Sequence, residues 1–372
     1  MSHGGTEGRE ERGRGTASIE QAMVDTSCLV CGSTHHETVA SMEEIAEQNR
    51  MLQVFHQRRR RKDEEADLKD RTTFSQDFST EVVRCLTCGF MYRNPRPTLR
   101  AVTIQYAEDE YGEEHLKVEF QAQETWAEKK ISAFAQHCGF SSHTPMVVEV
   151  GSFVGGFLAA AKRRGWSILG VDPGKEVVKF CHVRGLPVIH GTLNETSLAS
   201  QSVDAVVIWN TFDQLVNPDT TLGAARRILR EGDGHLVLRV PNGEMFRQGV
   251  YWLKAGGWRR SWAIPALAWN NLLSFPYLNG YSASTLDQLV ARHGFTRVAL
   301  EVDSLMTLSD EQTTQWGVWE ERVVKSSCRI LAGNGMLFPA FRNMLSPWLD
   351  VYYAVSRDAV GTSPISCVHS PT

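Results

Sequence analysis

With 372 residues, of which 42% are apolar and 22% charged, the chain can bury a sizeable core in one large domain with one or two small companions. Its formal net charge of −4 argues against a nucleic-acid backbone as the main partner, which calls for a positive surplus. No run of about 18 uncharged apolar residues occurs, so no membrane span is expected. The opening MSHGGTEGREERGRGTASIEQ lacks the apolar stretch of a secretory signal.

Residues 1–24 read as a disordered leader, and without a signal the expected location is cytoplasmic. Residues 25–97 carry two C-x-x-C pairs, Cys28/Cys31 and Cys85/Cys88, each followed by glycine. In a reducing compartment such pairs are more often metal sites than disulfides. Four thiolates close a tetrahedral zinc site with no open position, so the metal expected here is structural zinc. His35 and His36 are read as surface histidines rather than ligands, and a redox pair is the rival reading. Between the pairs, SMEEIAEQNRMLQVFHQRRRRKDEEADLKDR has no Gly or Pro and predicts a long exposed helix. Its basic run, Arg58 to Lys62, is followed by Asp63, Glu64 and Glu65. Pairing of Arg59, Arg60 and Arg61 with them at i,i+4 would cancel a phosphate-binding field.

Asn94-Pro95-Arg96-Pro97 marks a boundary. Residues 98–143 are expected to form a helical linker or lid with Tyr106, Tyr111 and Trp126 as large aromatics. From 144 to 303, short apolar runs alternate with helical segments, which predicts α/β architecture with a doubly wound, largely parallel Rossmann-like sheet. Within it, residues 241–280 form a broken segment rich in Trp, Gly and Pro. Residues 304–372 form a C-terminal extension, in which SPWLDVYYAV could supply a last strand.

The strongest chemical signal is VVEVGSFVGGFL, residues 147–158, where a buried strand enters a glycine turn and then a helix. Gly151 and Gly155 allow a sharp turn and close backbone approach to a ligand, and the helix start offers free N–H groups. About twenty residues on, SILGVD ends a second strand at Asp172, a carboxylate able to accept both hydroxyls of a ribose. The glycines do not fit G-x-G-x-x-G. They fit E-x-G-x-x-x-G, and Glu149 suits an ammonium better than a pyrophosphate.

This spacing resembles motif I of class I S-adenosylmethionine-dependent methyltransferases. VDAVVIWNTFDQLVNPDTTLGAARRILREGDGHLVLRVPNG and GYSASTLDQLVARHGFTRVALEV are similar to later strands and helices of that family. The order of two cysteine knuckles, NPRP, a Tyr-containing helix and motif I resembles bacterial methyltransferases with an N-terminal zinc-ribbon, a group that includes enzymes C-methylating nucleotide-linked sugars. The resemblance implies S-adenosylmethionine as cofactor. The turn Glu149, Gly151, Ser152, Phe153, Gly155 would face its methionine end. Asp172 and Pro173 would hold the ribose, and Thr192 and Leu193 would flank the adenine. Asn210 would approach the sulfonium, the alternative being a strand cap. Tyr106 and Tyr111 match the aromatic segment over the active site. The Glu-His pair of the sugar-methylating relatives is replaced here by Asp213-Gln214, and Gln214 cannot act as a base. The expected catalytic residues are therefore Asp213, Asn210 and Tyr111, and His182 and His190 are read as structural.

The leading expectation is a methyltransferase acting on a small-molecule acceptor, such as a nucleotide-linked sugar or another metabolite, with 251–280 helping to form the acceptor pocket. An RNA methyltransferase gripping nucleic acid through the zinc module, and a binding protein that has lost its chemistry, are the alternatives. The oligomeric state is not legible in the sequence.

Overall fold

The computed structural model describes residues 23–61, 80–102, 111–140, 144–305, 313–333 and 345–356. The amino-terminal part opens with the short strand β1 (Met23–Val24), then β2 (His36–Ala40) and helix α1 (Met42–Gln57). β3 (Glu81–Cys85), β4 (Met91–Asn94) and β5 (Arg96–Pro97) follow. Ser41 starts α1 with a capping box, its hydroxyl accepting from Glu44 N while Glu44 Oε2 accepts from Ser41 N.

The long exposed helix expected over residues 41–71 is corrected in both respects. α1 ends at Gln57, and it buries Ile45, Gln48, Leu52, Phe55 and His56 along one face. Arg59 also has tertiary partners. Its guanidinium binds Glu320 and the Phe55 carbonyl and lies 3.5 Å over the Phe55 ring. Lys62, Asp63, Glu64 and Glu65 lie outside the described residues.

Next come α2 (Glu113–His137), β6 (Met146–Val150), α3 (Gly156–Arg163), β7 (Ser167–Asp172), α4 (Lys175–Val183), β8 (Val188–His190), β9 (Ala205–Trp209), α5 (Pro218–Ile228) and β10 (His235–Pro241). The broken segment expected over 241–280 contains two full helices, α6 (Gly243–Ala255) and α7 (Gly257–Ala268), before the short β11 (Asn279–Gly280). The chain continues with α8 (Ala283–Ala291), β12 (Phe295–Asp303), α9 (Gln315–Gly333) and β13 (Trp348–Val355).

Seven strands form the central sheet in the order β12-β13-β10-β9-β6-β7-β8. β6 to β10 run parallel, and β13 enters antiparallel between β10 and β12. This is the Rossmann-like arrangement of class I methyltransferase type that the sequence predicts. β9, in the middle of the sheet, is buried on both faces, which explains why Ala205-Val206-Val207-Ile208-Trp209 reads as one apolar run. The strand order reverses between β6 and β9, so the crevice at their carboxyl ends is where such sheets bind ligands. The other sheet, β11-β4-β3-β2, joins the cysteine-bearing strands to the segment after α7. Asn279 pairs with Tyr92 and Gly280 with Met91, so backbone hydrogen bonds tie the two parts together.

Candidate active site

At the end of β6 the glycine turn folds back under the end of β7. Gly151 has φ +70°, and a Cβ there would stand 2.4 Å from Thr211 Oγ1. Gly155, at φ +78°, precedes the first turn of α3, where a Cβ would meet Leu186 Cδ1 at 2.9 Å. Gly156 lets α2 cross the start of α3, because a Cβ there would lie 2.6 Å from the Glu124 backbone N. Phe153 is held at φ +46°, a conformation that non-glycine residues adopt at a cost.

Asp172 fixes this geometry. Its Oδ2 accepts from Phe153 N at 2.8 Å and its Oδ1 from Gly174 N at 2.9 Å. A carboxylate has about four acceptor positions, so two remain for ribose hydroxyls. Burial raises the Asp172 pKa, while the two amides pull it back. Glu149 is 3% exposed, and its Oε2 has no hydrogen-bond partner. Burial, with the neighbouring Asp172 charge, holds its carboxyl well above the usual range. An unpaired buried acceptor beside a turn of this kind fits a cationic donor such as an α-ammonium.

Pro173 accepts from His190 Nε2 through its carbonyl, at 2.9 Å. Thr192 is exposed and forms a capping box with Glu195, while Leu193 is buried. His182 bonds the Val188 carbonyl, so both histidines serve the backbone. Tyr111 stands edge-on to Phe153 at 5.3 Å between ring centroids, and its amide donates to Glu176. It therefore belongs to the glycine-turn side and does not line the cavity at Asp213. Tyr106 lies outside the described residues.

The loop after β9 supplies the opposite wall of the crevice. Asn210 has φ +56°, and its Oδ1 accepts from Arg239 Nε at 3.0 Å, which leaves Nδ2 as the amide's remaining polar group. Arg239 is 1% exposed and also binds Asp303, Asp350 and the Ser304 carbonyl. Gln214 donates to the Asn210 carbonyl at 2.9 Å, a positioning contact. Asp213 is 5% exposed, and its Oδ1 has no partner. Burial pushes its pKa up to about 7, with a backbone amide opposing. A carboxyl that exchanges its proton near neutrality is suited to general-base work.

Asn210, Asp213 and Gln214 line a cavity of ≈ 60 Å³. Its other walls come from distant segments: Leu52 of α1, Leu273 and Phe275 before β11, and Trp348 of β13. Thr211, Arg239, Leu52 and Trp348 had no signal in the sequence, because only the topology brings them here.

The four cysteines of the amino-terminal sheet also converge. Their sulfur atoms all lie within 4.8 Å of one another, with Cys28–Cys88 and Cys31–Cys85 at 3.5 Å. Zinc–thiolate bonds of about 2.3 Å imply sulfur–sulfur edges near 3.8 Å, so the donor set fits a tetrahedral metal. The two knuckles are built alike. Gly32 N donates to the Cys28 carbonyl at 2.8 Å and Gly89 N to the Cys85 carbonyl at 2.9 Å, both glycines having positive φ. His35 and His36 are exposed and outside the cluster.

Among the described residues, no helix is long and apolar enough to cross a membrane. Residues 119–300 match the family model of a methyltransferase domain. No curated protein matches the chain. Among solved structures, a methyltransferase from Archaeoglobus fulgidus is 16% identical, with 62% of this chain and 93% of that one covered and a TM-score of 0.40. One from Thermotoga maritima is 14% identical, covering 65% and 91% at a TM-score of 0.37. One from Mesorhizobium loti is 13% identical, covering 56% and 90% at 0.36. These likenesses are too distant to bear on the reaction.

Proposed function

We propose that this chain transfers a methyl group from S-adenosylmethionine to a small-molecule acceptor. The observation that carries the reading is the placement, at the carboxyl ends of the neighbouring parallel strands β6 and β9, of the Gly151–Gly155 turn clamped by Asp172 and of the loop that bears the buried carboxyl of Asp213. The methyltransferase-domain match over residues 119–300 supports it.

When bound, the cofactor supplies an electrophilic methyl on a sulfonium. The chain's own task is then alignment and proton removal. The glycine turn and Asp172 hold the methionine and ribose ends, with Glu149 offering its unpaired oxygen to the ammonium. Asn210, locked by Arg239, faces the reacting side. Asp213, whose Oδ1 has no partner, would take the proton that the acceptor gives up. Alignment supplies much of the rate, because the leaving group is already activated. In this reading Cys28, Cys31, Cys85 and Cys88 hold structural zinc, and the metal takes no part in the transfer. The engagement of Arg59 by Glu320 takes one cation of the basic run away from phosphate binding.

Calorimetric titration with S-adenosylmethionine, with NAD for comparison, tests the reading. Micromolar binding of the first alone, weakened at least tenfold in Asp172→Asn, is the expected result. Failure of the folded, zinc-loaded protein to bind S-adenosylmethionine would sink it.

A further inference from the structure

We propose that the acceptor presents a compact, uncharged protic group to Asp213 inside the cavity, against an apolar wall whose depth is set by Leu52. The proposal rests on the methyltransferase reading and adds the chemical class of the acceptor. A water needs roughly 10–15 Å³ of such space. The ≈ 60 Å³ here therefore admits a handful of waters or a group of similar bulk.

The walls decide what that group can be. Leu52, Leu273, Phe275 and Trp348 give an apolar flank, and the polar groups are Asn210, Asp213, Gln214, Asn271, Ser274 and Tyr277, of which only Asp213 is a carboxylate. Among the described residues lining the cavity, no Lys, Arg or His occurs. A phosphate or carboxylate seated there would face the Asp213 carboxyl without a compensating cation, which is costly in a buried site. A phenol, an alcohol or an acidic C–H instead offers Asp213 a proton to take and gives the flank an apolar body to cover.

The cavity is a rigid one. Ser274 N donates to Gln48 Oε1 at 3.0 Å, and Ser274 Oγ to Asn49 Oδ1 at 2.6 Å, so α1 pins the loop opposite Leu52. Arg93 of β4, 1% exposed, donates to the carbonyls of Ser274, Pro276 and Thr80. Trp348 Nε1 donates to the Asn270 carbonyl at 3.0 Å. With the loop and the indole held, the side chain at position 52 governs the free volume. The helix inserted between the two cysteine pairs thus acts as a specificity wall for a site that it does not adjoin in sequence.

The test uses the full-length zinc-loaded chain and protein-detected NMR titration, with and without S-adenosylhomocysteine. The probes are p-cresol, phenyl phosphate and uridine diphosphoglucose. The expected result is millimolar or better binding of p-cresol, at least tenfold weaker binding of the two charged probes, and loss of p-cresol binding in Leu52→Trp with S-adenosylhomocysteine affinity within twofold. Leu273→Trp fills the cavity from the opposite wall and serves if Leu52→Trp does not fold. Tighter binding of either charged probe, no p-cresol binding, or p-cresol binding unchanged in both Trp variants overturns the proposal. If p-cresol binds and responds to Leu52→Trp but S-adenosylhomocysteine does not bind, the cavity's chemistry stands and the methyltransferase reading fails instead.

Discussion

The two ends of the crevice are assembled differently. At the cofactor end, Glu149, Gly151, Phe153, Gly155 and Asp172 come from two neighbouring parallel strands and the turn between β6 and α3, and backbone groups do most of the holding. At the acceptor end, Asp213 follows β9, Leu52 belongs to α1, Phe275 precedes β11 and Trp348 begins β13. One end is a local motif that any chain with these glycines could form. The other exists only once the small sheet, α1 and the last strand have docked. Damage to the amino-terminal part should therefore reach the acceptor end first.

Cys85→Ser gives the largest effect expected. Structural zinc in small domains binds with apparent free energies on the order of 10 kcal/mol, much of it folding energy. Losing it loosens β3 and β4, and with them Arg93, which anchors Ser274 and Pro276. If the four cysteines hold zinc as proposed, metal analysis should show less than one zinc per chain in the variant against one in the native protein, and p-cresol binding should disappear. S-adenosylmethionine affinity should fall by less than fivefold. Equal loss at both ends would break the comparison.

Asp213→Asn comes next, with kcat/KM down by about 10²–10⁴-fold and cofactor affinity unchanged. In the native chain, kcat/KM should rise with pH and level off above about 7, as Asp213 ionises. The effect on stability runs the other way. The folded pKa of about 7 lies above the unfolded carboxylate value, so the contribution of Asp213 itself to stability is greatest below the unfolded value and declines as pH rises toward 7. The Asn variant should thus melt higher than the native protein at pH 8. A lower melting temperature there would mean that the Asp213 carboxyl is built into the fold, not held in reserve for chemistry.

Gly151→Ala strikes the glycine turn directly. The positive φ and the 2.4 Å approach to Thr211 Oγ1 leave no room for a methyl group, and the turn must shift. A strain of about 1–3 kcal/mol corresponds to roughly 5–150-fold in S-adenosylmethionine affinity, read by calorimetry. Affinity within twofold of native would show that the turn is not the binding element.

These contrasts also explain what the sequence disclosed. Glycines at 151 and 155 and an acid closing the next strand form a code over adjacent elements, so the turn and the βα alternation were legible. The cysteine pairs were legible for the same reason, since each knuckle is made of consecutive residues. Asp213 was found through a resemblance, and its unpartnered oxygen became visible only in the folded chain. Leu52 read as part of a short apolar stripe, with Met42, Ile45, Met51 and Phe55, on an otherwise charged helix. Its exposure was misjudged because nothing local announces that α6, α7 and α9 will cover α1. Glu320, the carboxylate that Arg59 meets, is 261 positions away in sequence and was equally unannounced.

That last contact offers the mildest perturbation of the acceptor wall. Arg59 binds Glu320 through two nitrogens, and Trp269 Nε1 donates to the same carboxylate at 3.0 Å. Although burial acts to raise the Glu320 pKa, these donors hold it below the usual value. The ion pair therefore stabilises above the unfolded carboxylate range, and its contribution is lost as pH falls through the lowered folded value. With both side chains only partly buried, at 13% and 24% exposure, Arg59→Ala should cost about 1–2 kcal/mol near neutrality and less at pH 3. Because Arg59 tethers the carboxyl end of α1, p-cresol affinity should fall two- to fivefold while S-adenosylmethionine binding stays put. Thermal melts at both pH values and the two titrations check this. If Arg59→Ala weakens cofactor and p-cresol binding alike, α1 belongs to the common scaffold of the crevice and not to its acceptor wall.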